Sequence, residues 1–402
     1  MTILDSPLVL PRIRVAVTAV FFLNGLMIAS YIVRLPSLKA DLHLSTLQVG
    51  LASTLFGVAA VVAMQFVGGL VARYGSARLI RFGLVAMPLV LGGIGFTRDF
   101  TGLAVASVFF GVVHGSLDVS MNAHAVAVER RLGRPIMSRC HAAWSISAVA
   151  ASAGGAVLIG SGLGIAGHFA TVAAVVIVGR FIVAPWLLTA SADRADRAVT
   201  EAGSQRPGWR AGWSRAVVVL GLTGAALMVC EGAALTWSGV LLHEDRGASL
   251  TLASAAVAAF SGFQTLGRLV GDRLTERFGA AWLFRLGGLV GAAGLVLVVV
   301  SPHAVGGLAG FAVVGAGTSL LIPIAFSAAG HAGGTGPGAA AFVARFTTFT
   351  YAGILLGPAV IGLLAQGIGL QWTLALLIPL LGITALVTRL PAPHDARAVC
   401  PS

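Results

Sequence analysis

The sequence predicts an all-α membrane protein, with twelve transmembrane helices in two pseudo-symmetric six-helix bundles. Three observations predict it. First, the 402-residue chain is 57% hydrophobic and only 10% charged, with a mean hydropathy of +0.95, whereas soluble domains carry about 25% charged residues. A soluble core does not absorb that much apolar surface, so the chain belongs in a bilayer. Second, apolar runs of spanning length recur along the chain. Third, its two halves repeat each other.

The runs fall at 13–34, 47–71, 79–97, 101–128, 138–162, 165–188, 214–242, 249–271, 281–300, 304–329, 338–365 and 369–389. Each lies near or above the roughly 20 residues a bilayer requires. Arg12 and Arg14 precede the first run and no convincing small-residue cleavage site follows it. It is therefore expected to be an uncleaved first membrane helix, not a signal peptide. The only long polar stretch separates the sixth and seventh runs. The expected organisation is an N-terminal six-helix bundle over 1–188, a cytoplasmic linker over 189–213, a C-terminal bundle over 214–390 and a cytoplasmic tail over 391–402.

Loop charges orient the bundle. With the N-terminus inside, the cytoplasmic loops hold 20 arginines and the outer loops hold Arg34, Lys39, Arg98 and Arg246; Arg180 and Arg345 stay within helices. By the positive-inside rule both termini are cytoplasmic, which in a bacterium means a multi-pass protein of the inner membrane. The net charge of +12 does not point to nucleic acid, because the arginines fall between apolar runs and form no basic domain.

The repeat is explicit. Arg73-Tyr-Gly-Ser-Ala-Arg-Leu-Ile-Arg81-Phe-Gly83 reads again as Arg277-Phe-Gly-Ala-Ala-Trp-Leu-Phe-Arg285-Leu-Gly287, offset by about 204. At nearly that offset Gly111 meets Gly315 and Phe56 meets Phe260, and Asn24-Gly25 answers Glu231-Gly232 at a slightly longer one. Six-helix halves repeated in parallel are the signature of a rocker-type transporter, with its site between the halves near the midplane.

These motifs resemble the major facilitator superfamily over essentially the whole chain. Gly68-Gly-Leu-Val-Ala72-Arg73-Tyr-Gly75 is similar to its G-x-x-x-D-R-x-G loop after helix two, with Ala72 in place of the acid. In the second half the acid is Glu276, before Arg277, and Asp272 replaces the first glycine. Leu117-Asp118-Val-Ser-Met-Asn122 resembles the L-E-T-A-A-N of the fucose–proton symporter branch. His141-Ala-Ala-Trp144-Ser145, Glu231-Gly-Ala-Ala-Leu-Thr-Trp237-Ser238 and Gly267-Arg-Leu-Val-Gly-Asp272-Arg-Leu274 resemble a bacterial subgroup near the rhizopine-locus membrane protein. The resemblance implies transport of small polar, polyol-like compounds. That symporter's other transmembrane acid, on helix one, has no match here; Asn24 is the nearest polar residue.

The stretch Gly111–Arg139 carries the most chemistry. His114, Asp118 and Asn122 stand four residues apart, about one helical turn, and share a face. An acid at that depth costs about 2.5–3.5 kcal/mol even on lenient insertion scales. Desolvation disfavours the charged form of such a carboxylate, so it is suited to load a proton from one side and release it to the other. Asp118 is the expected proton carrier; the alternative is a structural acid held by His114 and Asn122. His114 shares or tunes the proton, or packs beside Gly111 and Gly115. Asn122 suits solute hydroxyls, or else makes an interhelical hydrogen bond. His124 lies off that face.

Glu231 is the second membrane acid. The resemblance implies that helices one, four, seven and ten line the cavity, which places Glu231 opposite Asp118 as a further coupling group, or one that pairs with a cation, binds solute or forms a gate. Tyr31 and Trp237 are candidate stacking surfaces for a ring-shaped solute, or interface anchors. Asn24 and Gln264 are candidate polar liners. Arg345 either binds an anion, counters Glu231, or snorkels to the surface. Glu129, Arg73, Glu276, Arg277 and His141 are expected gating residues on the cytoplasmic side.

Other chemistry is not indicated. No Walker loop is present, so an ATP-driven engine is excluded. Cys140, Cys230 and Cys400 show no metal or redox spacing, and no cofactor or metal is expected. The expected partners are the lipid bilayer, a small solute and protons, with the chain a monomer. The reading is a proton-coupled symporter of a polyol- or sugar-like solute; proton-driven export of a drug or metabolite is the alternative, and a membrane enzyme or sensor the distant one.

Overall fold

The computed structural model describes residues 10–132, 136–188, 213–332 and 337–388. The first half contains α1 (Leu10–Val33), α2 (Leu35–Asp41), α3 (Thr46–Tyr74), α4 (Ser76–Ile94), α5 (Phe100–Leu132), α6 (Met137–Gly160) and α7 (Ile165–Val183). The second contains α8 (Arg215–Glu244), α9 (Leu250–Phe278), α10 (Ala280–Val300), α11 (Ala304–Thr318), α12 (Leu321–Ala332), α13 (Pro337–Ile368), α14 (Leu370–Ala375) and α15 (Leu377–Val387). Helices are the expected solution, because in hydrocarbon each backbone donor and acceptor must be satisfied within its own segment. Eleven stretches among the described residues are long and apolar enough to span, and a shorter apolar one follows at Leu370–Leu386.

Two expected single helices are split, both by proline. The run 304–329 breaks at Ser319–Leu320, between α11 and α12. Pro323 has no N–H for the Ser319 carbonyl, and its ring crowds that oxygen. Arg268 Nε takes up the freed carbonyl at 3.3 Å. The last run breaks at Leu376, where Pro379 withholds the donor that Ala375 would otherwise receive. Other helices run further than hydropathy indicated. α5 continues to Leu132, so Glu129 and Arg131 lie in its last turns and not in a loop.

The sequence repeat is a structural repeat. A Cβ on Gly111 would stand 2.0 Å from the Phe56 carbonyl oxygen, and one on Gly315 would stand 2.1 Å from that of Phe260. Glycine is required at both places because α5 on α3, and α11 on α9, touch backbone to backbone. Gly75 and Gly279, ending α3 and α9, adopt φ 83°, ψ 146° and φ 81°, ψ 146°. Ser45 and Ser249 cap the same two helices, accepting from the amides of Gln48 and Leu252. Each pair is 204 residues apart.

The halves meet along two seams, α3 with α13 and α6 with α9. The tight contacts lie toward the face away from the arginine-rich ends. Thr54 Oγ1 donates to the Leu355 carbonyl at 3.2 Å. The Ala258 amide donates to Ser152 Oγ at 3.1 Å, and that hydroxyl donates to the Ser254 carbonyl. A Cβ on Gly50 would stand 2.5 Å from the Pro358 carbonyl oxygen. The short helix α2 lies against α8 at the same face and was not foreseen. There Lys39, only 9% exposed, binds Glu244. Arg34, expected in an outer loop, is buried: its Nε meets His168 Nδ1 at 2.8 Å and its Nη2 meets the Leu163 carbonyl at 2.5 Å.

Candidate functional site

Between the halves lies a cavity of about 280 Å³. From the first half it takes Tyr31, Ser53, Phe56, His114, Asp118 and Trp144; from the second, Gly232, Thr236, Tyr351 and Leu355. Most of the remaining wall is aliphatic: Ile28, Ile32, Met64, Leu235 and Ile354. Phe56 sits 5.5 Å from Phe110 and 5.4 Å from His114, ring to ring, and Tyr31 lies 5.6 Å from Phe110. This aromatic shelf packs the His114 ring against the wall.

Helix register brings His114 and Asp118 to that wall together, one turn apart on α5. Neither of the neighbours expected to hold the Asp118 carboxylate does so. His114 Nδ1 pairs with Asn24 Oδ1 at 3.2 Å. Asn122 Nδ2 donates to the backbone carbonyl of Asp118 at 2.9 Å. Among the described residues, the Asp118 side chain has no hydrogen bond or ion pair. With Nδ1 turned to Asn24 Oδ1, the His114 Nε2 makes no hydrogen bond among the described residues. The site therefore holds, side by side in a largely apolar cavity, an imidazole and an acid whose side chain has no hydrogen bond or ion pair among the described residues.

The other expected site residues are distributed differently. Tyr31 lines the cavity, and Asn24, fully buried, reaches it only through His114. Asn122 is not in the lining, because its amide is turned to its own helix. Trp237 is fully buried in the core and does not reach the cavity. Arg345 lies with its guanidinium 5.3 Å from the Trp213 ring, which takes it to the helix end and away from Glu231. Glu231 faces Arg268, at 3.6 Å, and not Asp118; its neighbour Gly232 is the lining residue. Gln264 is buried beside that pair on α9.

Of the expected gating residues, His141 is exposed, with its ring edge-on to Phe21 at 5.4 Å. Arg73 and Arg277 each lie 5.2 Å from the ring of the next residue, Tyr74 and Phe278, another trace of the repeat. Glu276 is exposed. Glu129 belongs to α5, and its side chain lies outside the described residues.

Several participants were not picked out in the sequence. Arg268 counts among the 20 arginines read as cytoplasmic, although it stands inside the apolar run 249–271, and that position is the available signal. Ser53, Thr236 and Tyr351 gave none, since single hydroxyls are common in membrane helices. The Lys39–Glu244 pair was hidden in an outer loop.

Comparison with known proteins agrees with this architecture. The profile of the Major Facilitator Superfamily matches residues 17–332 and 232–399. The chain is 30% identical over 381 residues to the uncharacterised transporter y4wD of Sinorhizobium fredii (strain NBRC 101917 / NGR234), covering 94% of this chain and 96% of the relative. It is 32% identical over 358 residues to an uncharacterised MFS-type transporter of Yersinia pestis, covering 88% and 89%. It is 27% identical over 371 residues to the membrane protein MosC of Rhizobium meliloti, covering 92% and 88%. Among solved structures, a bacterial homologue of the human lysosomal transporter Spinster, inward-facing and unoccupied, superposes with a TM-score of 0.75 at 15% identity, covering 95% of this chain and 96% of that one. The nucleoside transporter NupG gives 0.70 at 14% identity, covering 93% and 98%. The chain thus belongs to the Major Facilitator Superfamily, and is a multi-pass membrane transporter and not an enzyme.

Proposed function

We propose that the protein is a proton-coupled symporter of a small polyol- or sugar-like solute, working by alternating access with Asp118 as the proton carrier. The observation that carries the reading is the position of Asp118: an acid whose side chain makes no ion pair or hydrogen bond among the described residues, on the wall of a cavity shared by both halves. A carboxylate in that setting is neutral or charged according to what surrounds it. Rocking of the halves changes those surroundings, so the proton taken up in one state is released in the other. His114 stands one turn away on the same wall to accept or pass that proton. The aromatic shelf and the Ser53, Thr236 and Tyr351 hydroxyls supply a flat apolar face and several polar contacts, which is the pairing a sugar-like ring needs.

The arginine split supports a bacterial inner-membrane location with both termini in the cytoplasm. In that orientation the tight contacts lie on the periplasmic side and the conformation is closed outward. The reading takes one chain as the working unit, since the cavity and its acid belong to one chain. The long apolar part of the wall favours one second reading, proton-driven export of a less polar compound.

The test is transport by the full-length protein in liposomes with an imposed pH gradient. A polyol that enters together with protons, read from lumenal acidification by a trapped dye, supports symport. Solute flux opposite to proton flux selects export. Flux indifferent to the gradient overturns proton coupling.

A further inference from the structure

Beside the cavity, on the side of the arginine-rich helix ends, lies a second polar group of residues. Glu231 precedes the lining residue Gly232 on α8, and His141 stands one turn before the lining residue Trp144 on α6. Facing Glu231 from α9 is Arg268. Arg268 is held at two points. Its Nε donates to the Ser319 carbonyl that Pro323 leaves free, at 3.3 Å. Its Nη2 lies 3.6 Å from Glu231 Oε1, beyond hydrogen-bond length. The outer edge of the guanidinium is thus aimed by the broken helix but not consumed by it. One turn away on the same face, Gln264 is only 5% exposed, and its amide nitrogen has no acceptor among the described residues. A planar fork of donors with a spare amide donor next to it matches a carboxylate, which takes two parallel N–H bonds from arginine.

We propose that Arg268, assisted by Gln264, binds a carboxylate on the transported solute, so that the solute class is a sugar acid or other polyhydroxy carboxylate. The inference rests on reading the central cavity as the solute site: the hydroxyl-bearing body lies against Tyr31, Trp144 and Tyr351, and the carboxylate reaches past Gly232 to Arg268. Glu231 competes with that carboxylate for Arg268. Its loose pairing keeps the guanidinium in place when no solute is bound and yields when one arrives.

The test is thermal stabilisation of the purified full-length protein, at constant ionic strength, by matched probes: gluconate against glucitol, glucuronate against glucose, and glycerate against glycerol. At least one acid stabilises the wild type at a concentration about tenfold below that of its neutral partner. Arg268→Gln removes that difference while leaving the response to the neutral probe; Arg268→Lys, which keeps the charge but loses the fork, removes most of it. Glu231→Gln keeps or strengthens the preference for the acid, and so reads the site in a variant that retains Arg268. Equal stabilisation by acid and neutral partner overturns the inference and leaves the polyol reading standing. Stabilisation by sulfate equal to that by the acids marks a site for any anion and also overturns it. No stabilisation by any probe overturns both readings.

Discussion

Lys39 Nζ lies 2.5 Å from both carboxylate oxygens of Glu244, a residue 205 positions away in the chain. The pair joins α2 of the first half to α8 of the second, at the face away from the arginines. The lysine is nearly buried and the carboxylate is 37% exposed, so solvent screening holds its contribution to about 1 kcal/mol. That is enough to bias a rocking equilibrium whose two states differ by a few kcal/mol.

The first prediction follows. Lys39→Met and Glu244→Gln each lower the thermal stability of the closed form, and the double variant loses no more than either single one. The charge-swapped pair, Lys39→Glu with Glu244→Lys, recovers most of the loss. A double-mutant cycle on unfolding temperature measures this coupling. Additive losses remove the pair from the account.

A second prediction concerns the repeat. A methyl group on Gly111 has no room, because the atom it meets is backbone. Gly111→Ala forces α5 away from α3 and costs about 1–3 kcal/mol. Gly92→Ala, on α4, meets nothing within 4 Å and leaves stability unchanged. Thermal unfolding of the two variants in one detergent makes the comparison; equal values contradict the packing argument.

A third prediction concerns the break between α11 and α12. Pro323→Ala restores an N–H that the Ser319 carbonyl accepts. The new amide is protected from hydrogen exchange, and Arg268 loses its anchor. Fast exchange at residue 323 in that variant shows that the break has another cause.

These features differ in how far the sequence discloses them. The apolar runs, the repeat of the Gly75 and Gly279 motifs and the small face at Gly111 and Gly115 are legible because hydropathy, repetition and the absence of a side chain are local properties; that Gly111 meets Phe56 is not. His114 and Asp118 are legible as one face because helix register alone puts them there. Pro323 and Pro379 are plain in the sequence, but membrane helices tolerate proline through outside donors, so a break requires knowing that Arg268 supplies one. Glu231 with Arg268, and Lys39 with Glu244, are products of packing between distant helices. Charge alone does not choose the partner: a cation for Glu231 is a fair expectation, but that it is Arg268 on α9 and not Arg345 on α13 is decided by packing.

The central claim is that Asp118 carries the coupled proton, and Asp118→Asn in liposomes tests it most directly. The amide fills the same space and cannot exchange a proton. The account predicts that the variant loses solute accumulation driven by a pH gradient and retains exchange of solute across the membrane at equal pH. Accumulation at the wild-type level by Asp118→Asn would contradict it.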